Sequence, residues 1–291
     1  MHLITGRTQL LGVIGAPVEH SLSPVMHNAA IAALGLDYIY VPLSVAVGDL
    51  PRAMAGFEAI ALVGFNATIP HKQDLLPLLT EISPTARQVG AVNTVWRTAT
   101  GWAGTNTDAA GFVAPLREHR DRDWQQVVPV ILGNGGAARA VVVGCAQLGC
   151  RRVVVVGRNP DKLATFQASW QDVELSAKVD TCTWDVLPEL LATTELLVHT
   201  TPVGMTPHPD RLPVDASTLA RLQPGAIAYD LIYTPRPTRF LEVARGSGAI
   251  AIDGLEMLVQ QGAASLELWL QQPVPVDIMR RALDDYLIEK T

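Results

Sequence analysis

The stretch Val127-Val-Pro-Val-Ile-Leu132 runs straight into Gly133-Asn-Gly-Gly-Ala-Ala138, and a helical pattern over residues 139–148 follows at once. The first six residues read as a short buried strand, and the next six form G-x-G-x-x-A between strand and helix, the setting in which that pattern means dinucleotide binding. Gly133 permits the tight turn, Gly135 lets the backbone approach a pyrophosphate, and small Ala138 lets helix pack closely on strand. The helix N-terminus offers amides and the positive end of its dipole to the phosphates. A second strand, residues 153–156, ends in Gly157-Arg158-Asn159. An NAD enzyme carries an acid there for the ribose hydroxyls, whereas Arg158 offers a guanidinium suited to a 2′-phosphate, so NADP is the expected cofactor.

Working outward, apolar β-branched runs recur at residues 11–14, 38–41, 61–65, 196–198, 226–231 and 249–252, many alternating with helical patterns. This predicts an α/β fold of parallel βαβ units. A chain of 291 residues exceeds the usual single domain, so two lobes with a ligand cleft between them are expected. Two apolar helices, residues 255–270 and 276–288, follow the last nucleotide-unit strand and are expected to return to the first lobe. The division reads as residues 1–108 plus 254–291 around a Rossmann-like lobe of residues 109–253. Ser23-Pro24 is expected to be an N-cap and first-turn proline, with Gly35 closing that helix.

The net charge of −6, without a basic stripe, argues against nucleic acid. No apolar stretch reaches membrane-spanning length and the first ten residues lack a signal-peptide core, so a cytoplasmic protein is expected. Cys145, Cys150 and Cys182 have no metal-ligand spacing, and His2, His20, His27, His71, His119, His199 and His208 form no HExxH-like pair. No metal site is expected. The oligomeric state is left open.

Three patches in the first lobe are richer in polar groups than packing requires: Ser21-Leu-Ser-Pro24, Asn66-Ala-Thr-Ile-Pro-His-Lys72, and Asn93-Thr94 with Asn106-Thr-Asp108. Ends of parallel strands face a common crevice, where these groups could converge. Each also has a structural reading: Ser23 as a cap, Asn93 as a turn former, Asp108 as the cap of a helix starting at Ala109. Lys72 is expected on the first helical turn after Pro70, the unfavourable end of a helix dipole for a cation.

Taken in order, these segments resemble the shikimate dehydrogenases. The matching pieces are Ser21-Leu-Ser-Pro with His27, Gly64-Phe-Asn-Ala-Thr-Ile-Pro-His-Lys72, Gly90-Ala-Val-Asn-Thr94, Gly104-Thr-Asn-Thr-Asp108, Gly133-Asn-Gly-Gly-Ala-Ala138, Tyr229-Asp-Leu-Ile-Tyr233 with Thr238, and Asp253-Gly-Leu-Glu-Met-Leu-Val-Gln-Gln261. They cover nearly the whole chain. The resemblance implies NADPH-dependent, reversible reduction of 3-dehydroshikimate to shikimate, a step toward chorismate and the aromatic amino acids. It implies Lys72 as the acid-base residue with Asp108 as its partner. Ser21 and Ser23 would hold the substrate carboxylate, and Thr68, Asn93, Asp108, Tyr233 and Gln261 would make further substrate contacts. On the cofactor side it implies Gly133, Asn134, Gly135, Gly136 and Ala137 at the pyrophosphate, Arg158 and Asn159 around the ribose phosphate, and Leu231 and Gly254 near the nicotinamide. Two positions depart from the family pattern: Gly157 and His199 both stand where asparagine is common.

Two other readings fit the same residues. A quinate or dual-specificity dehydrogenase shares the fold and most of the site, although the Ser21/Ser23 pair and Arg158 lean toward shikimate and NADP. A non-catalytic sensor would bind the same ligands but has no use for an acid-base pair such as Lys72 and Asp108.

Overall fold

The computed structural model describes residues 3–119 and 121–289. Met1, His2, Arg120, Lys290 and Thr291 lie outside the described residues, so the expectation made for His2 falls outside them. The chain divides into two compact units, the first running through Thr107 and resuming at Leu258, the second being Asp108–Met257.

The first unit contains β1 (Gln9–Gly15), α1 (Ser23–Ala33), β2 (Tyr38–Ser44), α2 (Leu50–Ala59), β3 (Gly64–Ala67), β4 (Glu81–Ile82), α3 (Pro84–Val89), β5 (Thr94–Thr98) and β6 (Gly101–Thr105). Its six-stranded sheet has the order β2-β1-β3-β5-β6-β4. β1 pairs in parallel with β2 and β3, while β3, β5 and β6 form successive antiparallel pairs and β4 lies parallel to β6. The sheet is thus mostly parallel with an antiparallel β5–β6 hairpin. The pattern of apolar runs gave no warning of that hairpin, because Trp96-Arg97-Thr98 and Thr100-Gly101 interrupt it with polar and small residues.

The second unit contains α4 (Asp108–Leu116), β7 (Val130–Leu132), α5 (Gly136–Leu148), β8 (Arg152–Gly157), α6 (Pro160–Ala168), β9 (Lys178–Thr183), α7 (Leu187–Leu191), β10 (Leu196–His199), α8 (Ala216–Leu219), β11 (Ile227–Asp230), α9 (Arg239–Gly246) and β12 (Ile250–Ile252). Its sheet, in the order β12-β11-β10-β7-β8-β9, is parallel throughout. Helices shield both faces of such a sheet, so central strands carry near-continuous apolar runs, and Val130 to Leu132 and Val153 to Val156 are all buried. β7 is shorter than the apolar run predicts. Pro129 has no amide to give the ladder and contributes only its carbonyl, which accepts from Val154 N at 2.9 Å.

The last helices are α10 (Gly254–Leu270), within which the chain returns to the first unit, and α11 (Val276–Glu289). α11 packs against α1, burying Met279 and Leu283, and the Trp269 indole N–H of α10 donates to the Val95 carbonyl at 2.9 Å. The expected return of both helices to the first lobe is what the structure shows.

Two local expectations need correction. Ser23 is not the N-cap of α1; Leu22 occupies that place and already has helical dihedrals, and Ser23 is the first helical residue. The hydroxyl that meets the entering backbone is that of Ser21, which accepts from Ser23 N at 3.3 Å. Lys72 does not begin an α-helix either, since turns over residues 69–75 lead only into a short 3₁₀ segment, Leu76–Leu78. The Lys72 carbonyl accepts from Val92 N at 2.7 Å instead of closing a helical turn, so the dipole argument lapses.

Gly64 shows how tightly α10 seats on the first sheet. A Cβ there would fall on the Trp269 indole and stand 2.7 Å from the Val95 carbonyl oxygen, which is backbone and has little freedom to yield. Gly64→Ala is therefore expected to cost about 1–3 kcal/mol of unfolding free energy, as overpacking of a dense core does. A denaturant midpoint unchanged from wild type would refute this.

Candidate active site

Strand direction decides which residues of the first unit share an edge. Because β1 and β3 are parallel, and β5 and β6 each reverse direction, the carboxyl ends of β1, β3 and β6 lie together with the amino end of β5. Residues 16–23, 68–72, 93 and 106–107 all leave or enter the sheet there. Stretches far apart in sequence thus meet at one edge.

The loop after β3 is held at both ends. Thr68 N donates to the Ile14 carbonyl at 2.9 Å, and buried His71 donates from Nε2 to the Val45 carbonyl at 2.8 Å. With its carbonyl on Val92, Lys72 has a fixed backbone and a half-buried side chain. Ser21 and Thr68 are likewise half-buried, whereas Ser23, Asn93 and Gln261 are buried.

Behind this edge lies a buried polar network. The Tyr40 hydroxyl donates to Asn66 Oδ1 at 2.7 Å, and Asn66 Nδ2 donates to the Asn93 carbonyl at 2.9 Å, to Ser265 Oγ at 3.0 Å and to Thr94 Oγ1 at 3.2 Å. Asn93 Oδ1 accepts from Thr107 N at 2.8 Å, while its Nδ2 reaches Thr107 Oγ1 at 2.9 Å and Gln261 Oε1 at 3.3 Å. Of the residues assigned to substrate from sequence, Asn93 and Gln261 are therefore in direct contact. Burial raises the Tyr40 pKa well above its ordinary value, only partly countered by a hydrogen bond with Ser23. His27, stacked on Tyr40 with ring centroids 4.1 Å apart, is lowered to about 4 by burial, and its Nδ1 meets the Ser23 carbonyl at 2.8 Å. It serves this site as a neutral spacer behind Ser23.

Tyr40 and Ser265 gave no sequence signal, since one sits in an apolar strand and the other in an apolar helix. A lone polar residue inside an otherwise apolar pattern was the only clue available.

In the second unit, Gly133 adopts φ 106°, a conformation that glycine tolerates and side chains with a Cβ resist, and its amide donates to the Val156 carbonyl at 2.9 Å. Gly135 is the N-cap of α5 and supplies no side-chain cap, leaving the helix dipole and first-turn amides suited to an anion. Gly135, Gly136 and Ala137 are exposed on the outside of the turn, and Gly133 and Asn134 are partly so. Arg158 is exposed at the end of β8, the strand adjacent to β7. Asn159 caps α6, its Oδ1 accepting from Lys162 N at 2.9 Å, which leaves its amide nitrogen for other work. This arrangement fits a dinucleotide carrying an extra phosphate.

At the same edge, Leu231 follows β11 and its amide donates to the His199 carbonyl at 3.1 Å. Gly254 N donates to the Ile232 carbonyl at 3.1 Å, bringing the start of α10 beside that segment. Tyr233 is half-buried, and burial raises its phenol pKa. Asp108 is the first residue of α4, immediately after the Thr107 that Asn93 holds, and is half-buried.

Comparison with known proteins gives these features a context. The family model for the shikimate dehydrogenase substrate binding domain matches residues 13–95, and that for the shikimate 5′-dehydrogenase C-terminal domain matches residues 254–283. Shikimate dehydrogenase (NADP(+)) of Gloeothece citriformis is 62% identical over 287 residues, 99% of each chain. Among solved structures, shikimate 5-dehydrogenase from Listeria monocytogenes in complex with shikimate and NAD has a TM-score of 0.88 at 34% identity, covering 97% of this chain and 99% of its own. Quinate dehydrogenase from Corynebacterium glutamicum in complex with NAD has a TM-score of 0.86 at 29% identity, covering 96% and 99%.

Proposed function

The chain belongs to the shikimate dehydrogenase family, and on that premise we propose how its own residues carry out NADPH-dependent reduction of 3-dehydroshikimate to shikimate. It is an oxidoreductase acting on a CH–OH group, in the pathway to chorismate and the aromatic amino acids. The observation that carries the substrate assignment is the 62% identity to a shikimate dehydrogenase (NADP(+)) across 99% of both chains. Among the described residues no helix is long and apolar enough to cross a membrane, and we place the enzyme in the cytoplasm.

We assign the substrate chiefly to residues of the first unit and the cofactor to residues of the second. Ser21 and Ser23 hold the substrate carboxylate, and Thr68, Asn93, Tyr233 and Gln261 supply donors and acceptors for its hydroxyls. Asn93 and Gln261 arrive already oriented by their mutual hydrogen bond, so less ordering entropy is lost on binding. Gly133, Asn134, Gly135, Gly136 and Ala137 hold the pyrophosphate, Arg158 and Asn159 the ribose phosphate, and Leu231 and Gly254 the nicotinamide end. NADPH, when bound, supplies the hydride for reduction and NADP accepts it in reverse.

A carbonyl that gains a hydride must gain a proton at oxygen, and Lys72 supplies it in reduction and takes it back in oxidation. Its backbone is pinned through Val92, which fixes the base of the stem that carries the amine. Asp108, an acceptor only when ionised, orients Lys72 or the neighbouring substrate hydroxyl.

Incubation of the purified protein with shikimate or quinate and NADP or NAD, followed by absorbance of the reduced cofactor, tests the reading. Turnover should be fastest with shikimate and NADP. Comparable turnover with quinate or NAD would reassign it to the dual-specificity relatives, and no turnover with nucleotide binding intact would favour a sensor.

Lys72→Ala should lower kcat by roughly 10²–10⁴-fold, the usual worth of a positioned acid-base group. Near-normal turnover by a folded variant would remove the assignment. Arg158→Ala should raise KM for NADP far more than for NAD, and an equal effect on both would remove its phosphate role.

A further inference from the structure

His199 is the last residue of β10 and is fully buried, as is Asp230, its register partner at the end of β11. Its Nδ1 lies 3.0 Å from Asp230 Oδ1 and its Nε2 lies 2.6 Å from Thr201 Oγ1. The Asp230 carboxylate also accepts from Ile232 N at 3.1 Å and from the Thr238 hydroxyl at 2.6 Å, and Thr238 caps α9. A carboxylate only accepts, so Nδ1 carries the hydrogen toward Asp230, which leaves Nε2 to meet the Thr201 hydroxyl. One imidazole thereby joins the segments that follow two neighbouring strands.

The segment it holds stands against the glycine turn. Thr200 N and Thr200 Oγ1 both donate to the carbonyl of Leu132, the residue before Gly133, at 3.0 Å and 2.8 Å. A Cβ on Gly133 would meet Thr201 Cγ2 at 2.8 Å and Thr200 Oγ1 at 2.9 Å, so these two threonines brace the back of the turn. Thr201 Oγ1 also accepts from Val203 N at 3.3 Å, which folds the following residues over. Among the described residues, only the His199 bond ties this hydroxyl to the sheet interior.

We propose that His199 is a positioning residue for the dinucleotide, acting through Thr201 on the Gly133 turn and touching no ligand itself; the proposal rests on the assignment of NADP to that turn. The asparagine common at this position in the family separates its two bonds. An asparagine amide sits at the level of Nδ1 and can still serve Asp230, but it has no atom at the level of Nε2. His199→Asn therefore keeps the inward bond and releases Thr201.

The test is titration of NADPH by fluorescence against wild type, His199→Asn, Thr201→Val, Thr201→Ser, the His199→Asn/Thr201→Val double variant and Arg158→Ala. His199→Asn and Thr201→Val should each weaken NADPH binding by roughly five- to tenfold, the factor carried by one ordinary hydrogen bond. The double variant should be no weaker than the weaker single, because both remove the same bond. Thr201→Ser, which restores the hydroxyl, should bind as wild type does, and KM for shikimate at saturating NADP should not move. Binding within twofold of wild type in both single variants, additive losses in the double, a serine variant as weak as valine, or a parallel rise in the shikimate KM would each overturn the proposal. Arg158→Ala reports on the underlying assignment: if it too leaves NADPH binding unchanged, the cofactor reading fails and the proposal with it. If it weakens binding while the His199 and Thr201 variants do not, the proposal fails alone. Should His199→Asn not fold, Thr201→Val and Thr201→Ser, at a half-buried side chain, still decide the matter.

Discussion

Asn66 is buried, and its side chain is satisfied by groups that three other segments bring to it: Tyr40 from β2, Asn93 and Thr94 at the start of β5, and Ser265 from α10. A buried amide left without such partners costs roughly 1–3 kcal/mol, so each segment is tied to the others by the penalty for leaving. This makes α10 a structural requirement of the first unit. Ser265 and Gln261 are spaced four apart on one face of that helix, with Ser265 Oγ donating to the Gln261 carbonyl at 2.9 Å. The face that completes the interior network also carries the glutamine assigned to substrate. Positioning of Asn93, and through Val92 of the Lys72 backbone, follows from the same closure.

The second unit solves the burial problem differently. Its central strands present almost nothing polar along their length, and polar side chains accumulate only at the carboxyl edge, where the parallel ladder ends and the chain must turn. There Asp230 and His199 are wholly buried and Thr238 nearly so, each satisfied within a few residues of the turns they organise. Ligand-binding backbone needs to be irregular enough to present amides and rigid enough not to lose entropy on binding. A buried side-chain network just behind the turns supplies the second property without obstructing the first.

How far the sequence discloses this depends on range. The glycine turn was legible because its chemistry is local: a strand, Gly133 at positive φ and the α5 N-terminus lie close together along the chain. Most parallel strands were legible because burial on both faces writes continuous apolar runs, and every expected run contains strand, but the parallel edge strands β4 and β9 wrote no such run. β5 and β6 were not, since a hairpin with small and polar residues on its exposed side breaks the apolar run. The misplaced cap at Ser23 and the absent helix at Lys72 have one cause. In each, the local pattern was read as if the backbone had only local partners, while Ser21 in the first case and Val92 in the second took the bond that decides the geometry. The Asn66 network was illegible for the same reason at longer range, because its partners are separated by up to 199 residues.

Fold likeness leaves substrate choice open, since a quinate dehydrogenase superposes nearly as well as a shikimate dehydrogenase. Discrimination must therefore lie in a few side chains. Quinate differs from shikimate by a saturated ring and an added hydroxyl on the carbon that bears the carboxylate, so on the proposed reading the difference is presented to Ser21 and Ser23. An extra hydroxyl is rejected strongly only where there is no room for it or no partner to receive it. Ser23 has little freedom to make room: it is buried, begins α1, and is backed by the His27–Tyr40 stack. Ser21 is half-buried in the loop ahead of the helix, with its Oγ engaged by the Ser23 amide. On that proposed reading the rigid member of the pair would set the carboxylate's place and the adaptable one would decide whether a neighbouring hydroxyl is met or excluded. If Ser21 and Ser23 hold the carboxylate as proposed, specificity follows from how firmly the turn before α1 is held, more than from which hydroxyl groups it contains.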